Sequence, residues 1–282
     1  MKLFKRRPTV PVVRLSGPIG MATPLRPGVS IASVAGALER AFKAARSNAV
    51  AIVINSPGGS PVQSHLVYRR IRDLASERKR RVYVFAEDVV ASGGYMIALA
   101  GDEIYADASS IVGSIGVISA GFGFNRLIDK IGVERRVHTS GEHKMSLDPF
   151  RPEEADDVAR LKQIQVDVHE NFKAMVRERR GSRLSGDDST LFEGQIWSGQ
   201  QAVELGLVDG LGDVRSKMRE LFGETVRLKQ IAVDRSWFKR RLIGVSDMVE
   251  MRPSSHRGMS FGLADDVVST IEARALWSRF GL

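Results

Sequence analysis

Cysteine is absent from all 282 residues of the chain, which excludes disulfide bonds, thiolate metal sites and cysteine nucleophiles. Long apolar runs are also absent. The longest uncharged stretches contain Gly, Ser and Pro and fall short of the ~20 apolar residues that a membrane span needs. The N-terminus starts with basic residues, as signal peptides do, but Pro8, Pro11 and Arg14 interrupt the apolar region that would follow. We therefore expect a cytoplasmic chain with no transmembrane segment.

Positive charge is in excess and is concentrated in three clusters. The formal net charge is +9, and the clusters lie within residues 2–7, 69–81 and 239–241. Such patches attract nucleic acids or anionic membrane surfaces, although they also suit an ordinary solvated surface. No nucleic-acid-binding motif accompanies them, so we expect no nucleic-acid partner.

Apolar residues recur with strand-like and helical spacing in alternation along most of the chain. The pattern predicts strands over residues 10–15, 49–54, 81–86, 103–106, 111–118 and 134–138. It predicts helices over residues 30–47, 62–77, 93–100, 125–131, 153–180 and 265–280. This alternation indicates an α/β fold with a mostly parallel sheet and right-handed crossovers. We divide the chain into a basic N-terminal segment over 1–9, a main domain over 10–222 and a C-terminal extension over 223–282.

Ser92 lies between an apolar run and the pair Gly93-Gly94, where a predicted strand turns into a helix. A serine at such a turn can project its hydroxyl into a cleft, and the glycines let backbone approach a substrate closely. The first histidine after Ser92 is His138, so a Ser-His-Asp site is disfavoured and Lys144 is the base that we consider. A lysine accepts a proton only when neutral, a form that burial or nearby positive charge favours. Taken singly, each residue also fits an ordinary turn or surface position.

A second loop, Asn55–Gly59, also follows a predicted buried strand. Loops that follow adjacent parallel strands meet at the carboxyl edge of the sheet, where such folds bind ligands. The backbone N–H groups of Gly59 and Gly93 can then form an oxyanion hole for a tetrahedral intermediate. The alternative is that Pro-Gly-Gly forms only a tight turn.

Five segments of the chain resemble, in order and spacing, the signal peptide peptidase A (protease IV) family of serine proteases. They are Asn55–Gly59, Ala91–Tyr95, Gly113–Val117, Ser140–Lys144 and Gly199–Asp209. The resemblance covers roughly residues 10–220. It assigns the main domain over 10–222 as a Ser-Lys protease domain.

The resemblance implies a fold like the Clp protease and crotonase superfamily, with repeated β-β-α or βα units flanked by helices. It implies a dyad of Ser92 as nucleophile and Lys144 as general base, with Ser114 orienting the lysine amine. Gly59 matches an oxyanion donor, which Gly93 would complement. Peptide substrates and a ring- or dome-shaped homo-oligomer are also implied, and no metal or cofactor is expected.

The chain departs from the family pattern at its N-terminus, since members usually carry a membrane anchor before the first strand. We therefore expect a cytoplasmic peptidase, or one bound peripherally at the inner membrane surface. The aromatic and basic segment over 237–241 would contact either a membrane or a neighbouring subunit, and we favour the subunit.

The function predicted from the sequence is a serine endopeptidase that acts on signal-peptide remnants or on other small or unfolded peptides. A crotonase-like acyl-CoA enzyme is an alternative, and it would not need the pair Ser92 and Lys144. A second alternative is an inactive oligomeric scaffold that binds peptides or a membrane protein. A scaffold has no physical need for the serine, lysine and glycine set.

Overall fold

The computed structural model describes residues 7–21, 28–233, 271 and 274–281. Within these residues the strands are β1 Thr9–Ser16, β2 Ala49–Ser56, β3 Arg81–Ala91, β4 Glu103–Ala106, β5 Ile111–Gly113, β6 Ile196–Ser198, β7 Gly210–Leu211 and β8 Arg227–Ile231. The helices are α1 Ile31–Ala44, α2 Pro61–Arg78, α3 Gly93–Ala98, α4 Asn125–Lys130, α5 Ala155–Arg180, α6 Asp188–Leu191, α7 Gly199–Glu204 and α8 Val214–Phe222. Short 3-10 helices cover Glu142–Met145 and Gly181–Arg183.

The described strands form one mostly parallel sheet in the order β6-β5-β3-β2-β1-β8, and β4 joins it between β3 and β7. Among these pairings only β5 with β6 is antiparallel. All eight residues of β2 are buried, as expected for a central strand that is covered on both faces. The predicted α/β class with a mostly parallel sheet and flanking helices is therefore confirmed.

The long strand β3 pairs with two different neighbours on the same side. Its first half lies beside β4, and its second half lies beside β5. Its register with β2 shifts between the pairs of Ile54 and Ser56, which indicates a bulge or irregularity near the carboxyl end. Bulges bend a strand and change the direction of its side chains, and they are common next to functional sites. Here the irregularity lies just before the turn that carries Ser92.

The two faces of the sheet carry different amounts of apolar packing. Alternating residues of β2 point to opposite faces, so Ile52 and Ile54 belong to the larger core cluster and Ala51 to the smaller one. The larger cluster includes residues of α1, α2, α3 and α5. The smaller one includes Met218 of α8. The main core therefore lies under the helices that connect the first strands.

Three predicted strands differ from the structure, the first because β3 continues to Ala91 and does not end at residue 86. The prediction over 134–138 is wrong, because this stretch is fully exposed, has no strand partner, and directs its arginines to carboxylates. The prediction over 111–118 is too long. The strand ends at Gly113 because Ser114 takes a positive φ and donates its N–H to the Gln195 carbonyl, 2.6 Å away.

The sheet also continues beyond residue 222, where we placed the end of the main domain. Strand β8 pairs in parallel with β1, from Thr9 opposite Arg227 to Val13 opposite Ile231. Most of the predicted helix over 265–280 and all of the segment over 237–241 lie outside the described residues. Of the described helices, none combines the length and apolarity that a membrane span needs.

A long stretch after β5 contributes nothing to the core. From residue 116 to residue 171 no residue as a whole is buried. We call residues 118–150 the exposed apolar segment, because it displays large apolar side chains that include Phe122 at 80 % exposure and Ile131 at 63 %. Apolar surface of this kind usually marks an interface.

Candidate active site

Ser92 occupies a strained turn at the carboxyl end of β3, directly before α3. Its φ is 51° and its ψ is −120°. Only a few non-glycine residues of the described chain have positive φ, namely Lys79, Ser92, Ser114 and Leu147. Such backbone costs of order 1–3 kcal/mol, and it persists only where the surroundings fix it. Here the Ser92 N–H donates to the Gly113 carbonyl at 2.8 Å, and the Met96 N–H donates to the Ser92 carbonyl at 3.0 Å. The predicted strand-to-helix turn is confirmed.

The loop Asn55–Gly59 lies against this turn. A Cβ atom on Gly58 would fall 2.7 Å from the Ser92 Cβ, and one on Gly93 would fall 3.4 Å from the Gly59 nitrogen. Any side chain at Gly58 would therefore collide with the serine. Gly59 has a φ of 140°, and a Cβ there would come within 2.2 Å of the Ile19 carbonyl oxygen. Glycine is required at both positions by space and by conformation.

Two backbone amides beside Ser92 are left without acceptors. Within the described residues, neither the Gly59 N–H nor the Gly93 N–H donates a hydrogen bond. On either side of Gly59 the amides are satisfied, because Gly58 donates to the Ser56 hydroxyl at 3.2 Å and Ser60 donates to the Ile19 carbonyl at 2.9 Å. A pair of unpaired N–H groups next to a serine is what stabilisation of an oxyanion requires.

Asn55 ties the two loops together. Its side chain is almost buried, donates to an Asp88 carboxylate oxygen at 2.5 Å, and accepts the Val89 N–H at 3.3 Å. The first residue of the motif thus has a structural role, since it links the end of β2 to the last part of β3. This link fixes where the loop stands relative to Ser92.

Ser114 follows β5, the strand beside the end of β3. It is 8 % exposed, and its φ is 52°. The sequence analysis missed His169, whose Nε2 lies 3.2 Å from the carbonyl oxygen of Ile115. His169 precedes Phe172, which lines the cleft, by three residues on α5, and this helical spacing could have placed it near the site.

A small cleft of about 20 Å³ opens beside Ser92. Its walls come from the Gly59 loop, α3, the segment after Ser114 and α5. The apolar part of the lining is Pro61, Met96, Val117, Val168 and Phe172. This volume accommodates about one water molecule or one methyl group.

Lys144 lies in the 3-10 helix Glu142–Met145 and is exposed. Its backbone N–H donates to the Gly141 carbonyl at 3.2 Å, and its amine has no hydrogen bond or ion pair with any described residue. Lys144 does not line the cleft. The single chain therefore places Ser92, Gly59 and Gly93 together, with Ser114 just after the adjoining strand β5, and leaves Lys144 exposed to solvent.

A buried hydrogen-bond network connects α3, β4 and α5 to the segment that ends at Asp209. The Tyr95 hydroxyl donates to the Leu207 carbonyl at 2.7 Å, and burial raises the pKa of this phenol. Arg180, 3 % exposed, donates to both carboxylate oxygens of Asp209 at 2.8 and 3.1 Å. Asp209 also accepts the Ile104 N–H at 2.7 Å. The segment Gly199–Asp209 is thus a structural element that joins α3, β4 and α5.

We expect Asp209→Asn to lower the free energy of unfolding by about 3 kcal/mol, because it leaves the buried Arg180 guanidinium without its counter-charge. Burial alone would raise the pKa of Asp209, but the hydrogen bonds and charge of Arg180 and the Ile104 amide outweigh it and lower that pKa. The contribution is therefore present above about pH 4 and is lost as the pH falls through the lowered folded pKa.

Urea unfolding at pH 7 and pH 3 measures this effect. The control is Asp129→Asn, at an exposed position of α4, which we expect to stay within about 0.5 kcal/mol of the wild type. Equal stabilities of the two variants at pH 7 would show that the buried pair does not stabilise the fold.

Comparison with known proteins identifies related chains. A model of peptidase family S49 matches residues 75–239, a range that includes Ser92, Ser114 and Lys144. The Brucella abortus protein named Na+/H+ antiporter NhaA is 54 % identical over 275 residues, which cover 97 % of this chain but only 37 % of that protein. The Arabidopsis thaliana protein named serine protease SPPA, chloroplastic, is 32 % identical over 168 residues, which are 58 % of this chain and 24 % of that protein.

The chain therefore spans only 37 % of the Brucella protein and 24 % of the Arabidopsis protein, so the larger part of each lies outside the alignment. Among solved structures, a mutant of the 1510-N membrane-bound stomatin-specific protease aligns with 81 % of this chain and 99 % of its own. The TM-score of that match is 0.49 and the sequence identity is 12 %.

Proposed function

The chain belongs to peptidase family S49, and from that premise we propose that it is a serine endopeptidase with Ser92 as nucleophile and Lys144 as general base. The observation that carries the proposal is the position of Ser92. It stands on a strained turn, at the mouth of a cleft, beside two unpaired amides. A structural turn serine needs none of these features.

The proposed reaction proceeds in two steps. The neutral Lys144 amine takes the proton of the Ser92 hydroxyl, and the oxygen attacks the peptide carbonyl carbon. The resulting oxyanion accepts hydrogen bonds from Gly59 and Gly93. The C–N bond breaks as Lys144 returns the proton to the leaving amine, which leaves an acyl-enzyme. Lys144 then activates a water molecule, which releases the acid and regenerates Ser92.

We propose that the active form is a homo-oligomer in which a second copy covers the exposed apolar segment. Two observations support this. The segment displays large apolar side chains with no core of their own, and Lys144 lies within it, in solvent. Water stabilises the ammonium form, which is not a base, whereas burial favours the neutral amine. Assembly would therefore both cover the apolar surface and prepare Lys144 to act at Ser92.

The cleft supports a preference for small side chains in peptide substrates. A volume of about 20 Å³ beside Ser92 suits a methyl group better than a branched or aromatic side chain. Its apolar lining also favours an apolar group. We propose unfolded peptides with a small residue before the cleaved bond, among which signal-peptide remnants are one class.

Digestion of unfolded peptides, followed by mass spectrometry, tests the function. We expect cleavage after Ala, Ser or Gly, with kcat/KM at least about tenfold lower after Leu or Phe, since one methylene group is worth about that much in a tight pocket. The Val117→Ala variant, which widens the cleft, should relax the preference. Cleavage that persists in a Ser92→Ala preparation, or no cleavage by assembled wild type, would contradict the proposal.

A further inference from the structure

Ile19 contacts both of the proposed oxyanion donors, Gly59 and Gly93. It lies in the loop between β1 and α1, and its side chain is completely buried. Its backbone pairs with Gly59 in an isolated parallel bridge, and its side chain reaches the backbone of Gly93. The mechanism proposed above uses the two glycines but not the residue that joins them.

The bridge consists of two hydrogen bonds that bracket Gly59. The Ile19 N–H donates to the Gly58 carbonyl at 2.8 Å, and the Ser60 N–H donates to the Ile19 carbonyl at 2.9 Å. The Gly58 carbonyl and the Gly59 N–H belong to one peptide group, which is planar and trans, so they point in opposite directions. The bond from Ile19 therefore keeps the Gly59 N–H pointing away from Ile19.

The space beyond the Gly59 nitrogen belongs to the cleft of the candidate active site. Gly59, Ser92 and Gly93 all line this cleft, and a Cβ atom on Gly93 would fall 3.4 Å from the Gly59 nitrogen. If the peptide between Gly58 and Gly59 turned over, the Gly58 carbonyl oxygen would point there and would repel an oxyanion. Glycine on both sides offers little steric resistance to such a rotation. The hydrogen bond from Ile19 opposes it.

The side chain of Ile19 supports the second donor. A Cβ atom on Gly93 would fall 3.3 Å from the Ile19 Cδ1 atom, so this methyl group packs beside the Gly93 backbone. Protein interiors have few voids, and the loss of one methyl group shifts the atoms that it supports. Ile19 therefore fixes the spacing of the two N–H groups, with its backbone at Gly59 and its side chain at Gly93.

Ile19 is itself held from its other side. The Gly20 N–H donates to the Val29 carbonyl at 2.8 Å, and the Val29 N–H donates to the Pro18 carbonyl at 2.9 Å. Val29 is buried in the main core cluster. Ile19 is thus the middle of three paired segments, between Val29 and Gly59, and it offers the glycines a fixed support.

We propose that Ile19 is a positioning residue, which orients the Gly59 N–H and sets its distance from the Gly93 N–H. This role rests on the peptidase function proposed above. Ile19 does not line the cleft, so it acts through the two glycines. An oxyanion forms in the transition state and is absent from the bound substrate, so displaced donors lower kcat and leave KM nearly unchanged.

Ile19→Val tests the proposal, because it removes only the Cδ1 methyl group. We expect kcat for a fluorogenic peptide with Ala before the cleaved bond to fall about tenfold, since loss of a whole oxyanion donor costs about 10²–10³-fold. KM should stay within about twofold of the wild type. The matched control is Ile52→Val, at a position that is equally buried in the same core cluster and does not line the cleft. Both variants should lower the unfolding midpoint by about 3 °C, but only Ile19→Val should lower kcat.

The rate at which a fluorophosphonate probe labels Ser92 gives a second readout, which does not depend on the choice of peptide. The phosphoryl oxygen of the probe takes the place of the peptide carbonyl oxygen, so labelling also needs the two donors. We expect the labelling rate constant to fall about tenfold in Ile19→Val and to stay unchanged in Ile52→Val.

The outcomes separate this role from the peptidase function. Equal kcat and equal labelling rates in the two variants, with an active wild type, would overturn the role of Ile19 and leave the peptidase proposal standing. A rise in KM without a fall in kcat would overturn it as well. An assembled wild type that neither cleaves peptides nor reacts with the probe would contradict the peptidase function itself, and the role of Ile19 would fall with it.

Discussion

Replacing Ser92 with alanine is expected to lower kcat/KM for peptide hydrolysis by at least about 10⁴-fold, because the acyl-enzyme can no longer form. The substitution removes one oxygen and keeps the turn, whose hydrogen bonds to Gly113 and Met96 come from the backbone. The unfolding midpoint should therefore stay close to that of the wild type. A continuous assay with a fluorogenic peptide that has Ala before the cleaved bond measures the effect.

Ser109→Ala is the matched control for this prediction. Ser109 lies on an exposed turn, and its hydroxyl has no hydrogen bond with the described part of the chain, whereas its backbone N–H donates to Asp107. Its loss should leave kcat/KM unchanged. A Ser92→Ala protein that is free of contaminating protease and keeps more than about a hundredth of wild-type activity would exclude Ser92 as the nucleophile.

Lys144→Ala is expected to lower kcat/KM by about 10³-fold, within the range that a general base contributes. Because the Lys144 amine makes no hydrogen bond or ion pair with any described residue, its loss should change stability little. The same fluorogenic assay, run with light scattering to record the oligomeric state, gives the result.

Two further variants separate catalysis by Lys144 from assembly. Lys130→Ala removes a lysine from the same exposed apolar segment, on α4, and should keep full activity. Ile131→Glu places a charge on the apolar surface and should yield smaller particles with activity as low as that of Lys144→Ala. Lys144→Ala as active as Lys130→Ala would remove Lys144 from the mechanism.

Sequence reasoning located the part of the site that is made by local structure. Strand β2 is followed directly by the loop that contains Gly59, and strand β3 is followed directly by Ser92 and Gly93. Parallel pairing of β2 with β3 brings both loops to the same edge of the sheet. Ser92, Gly59 and Gly93 could therefore be placed together before any coordinates. The strain at Ser92 and at Ser114 could not be read from sequence, because it depends on bonds to distant residues such as Gln195.

The parts that sequence reasoning missed depend on contacts far apart in the chain. Arg180 and Asp209 were not expected to pair, because nothing in either local pattern indicates the other. The strand predicted over 134–138 has no neighbouring strand to join among the described residues. Strand β8 was overlooked, because only one of its five residues is buried. The exposed position of Lys144 agrees with the surface position that this residue suggests when it is taken singly.

Labelling by a fluorophosphonate probe, followed by intact-mass measurement across pH, tests the Ser92–Lys144 account most directly. The proteins are the wild type, Ser92→Ala and Lys144→Ala. We predict one adduct per chain on the wild type, formed faster as pH rises, no adduct on Ser92→Ala, and labelling of Lys144→Ala slowed by orders of magnitude. Equal labelling of all three proteins, or no labelling of a folded and assembled wild type, would contradict the serine-lysine mechanism.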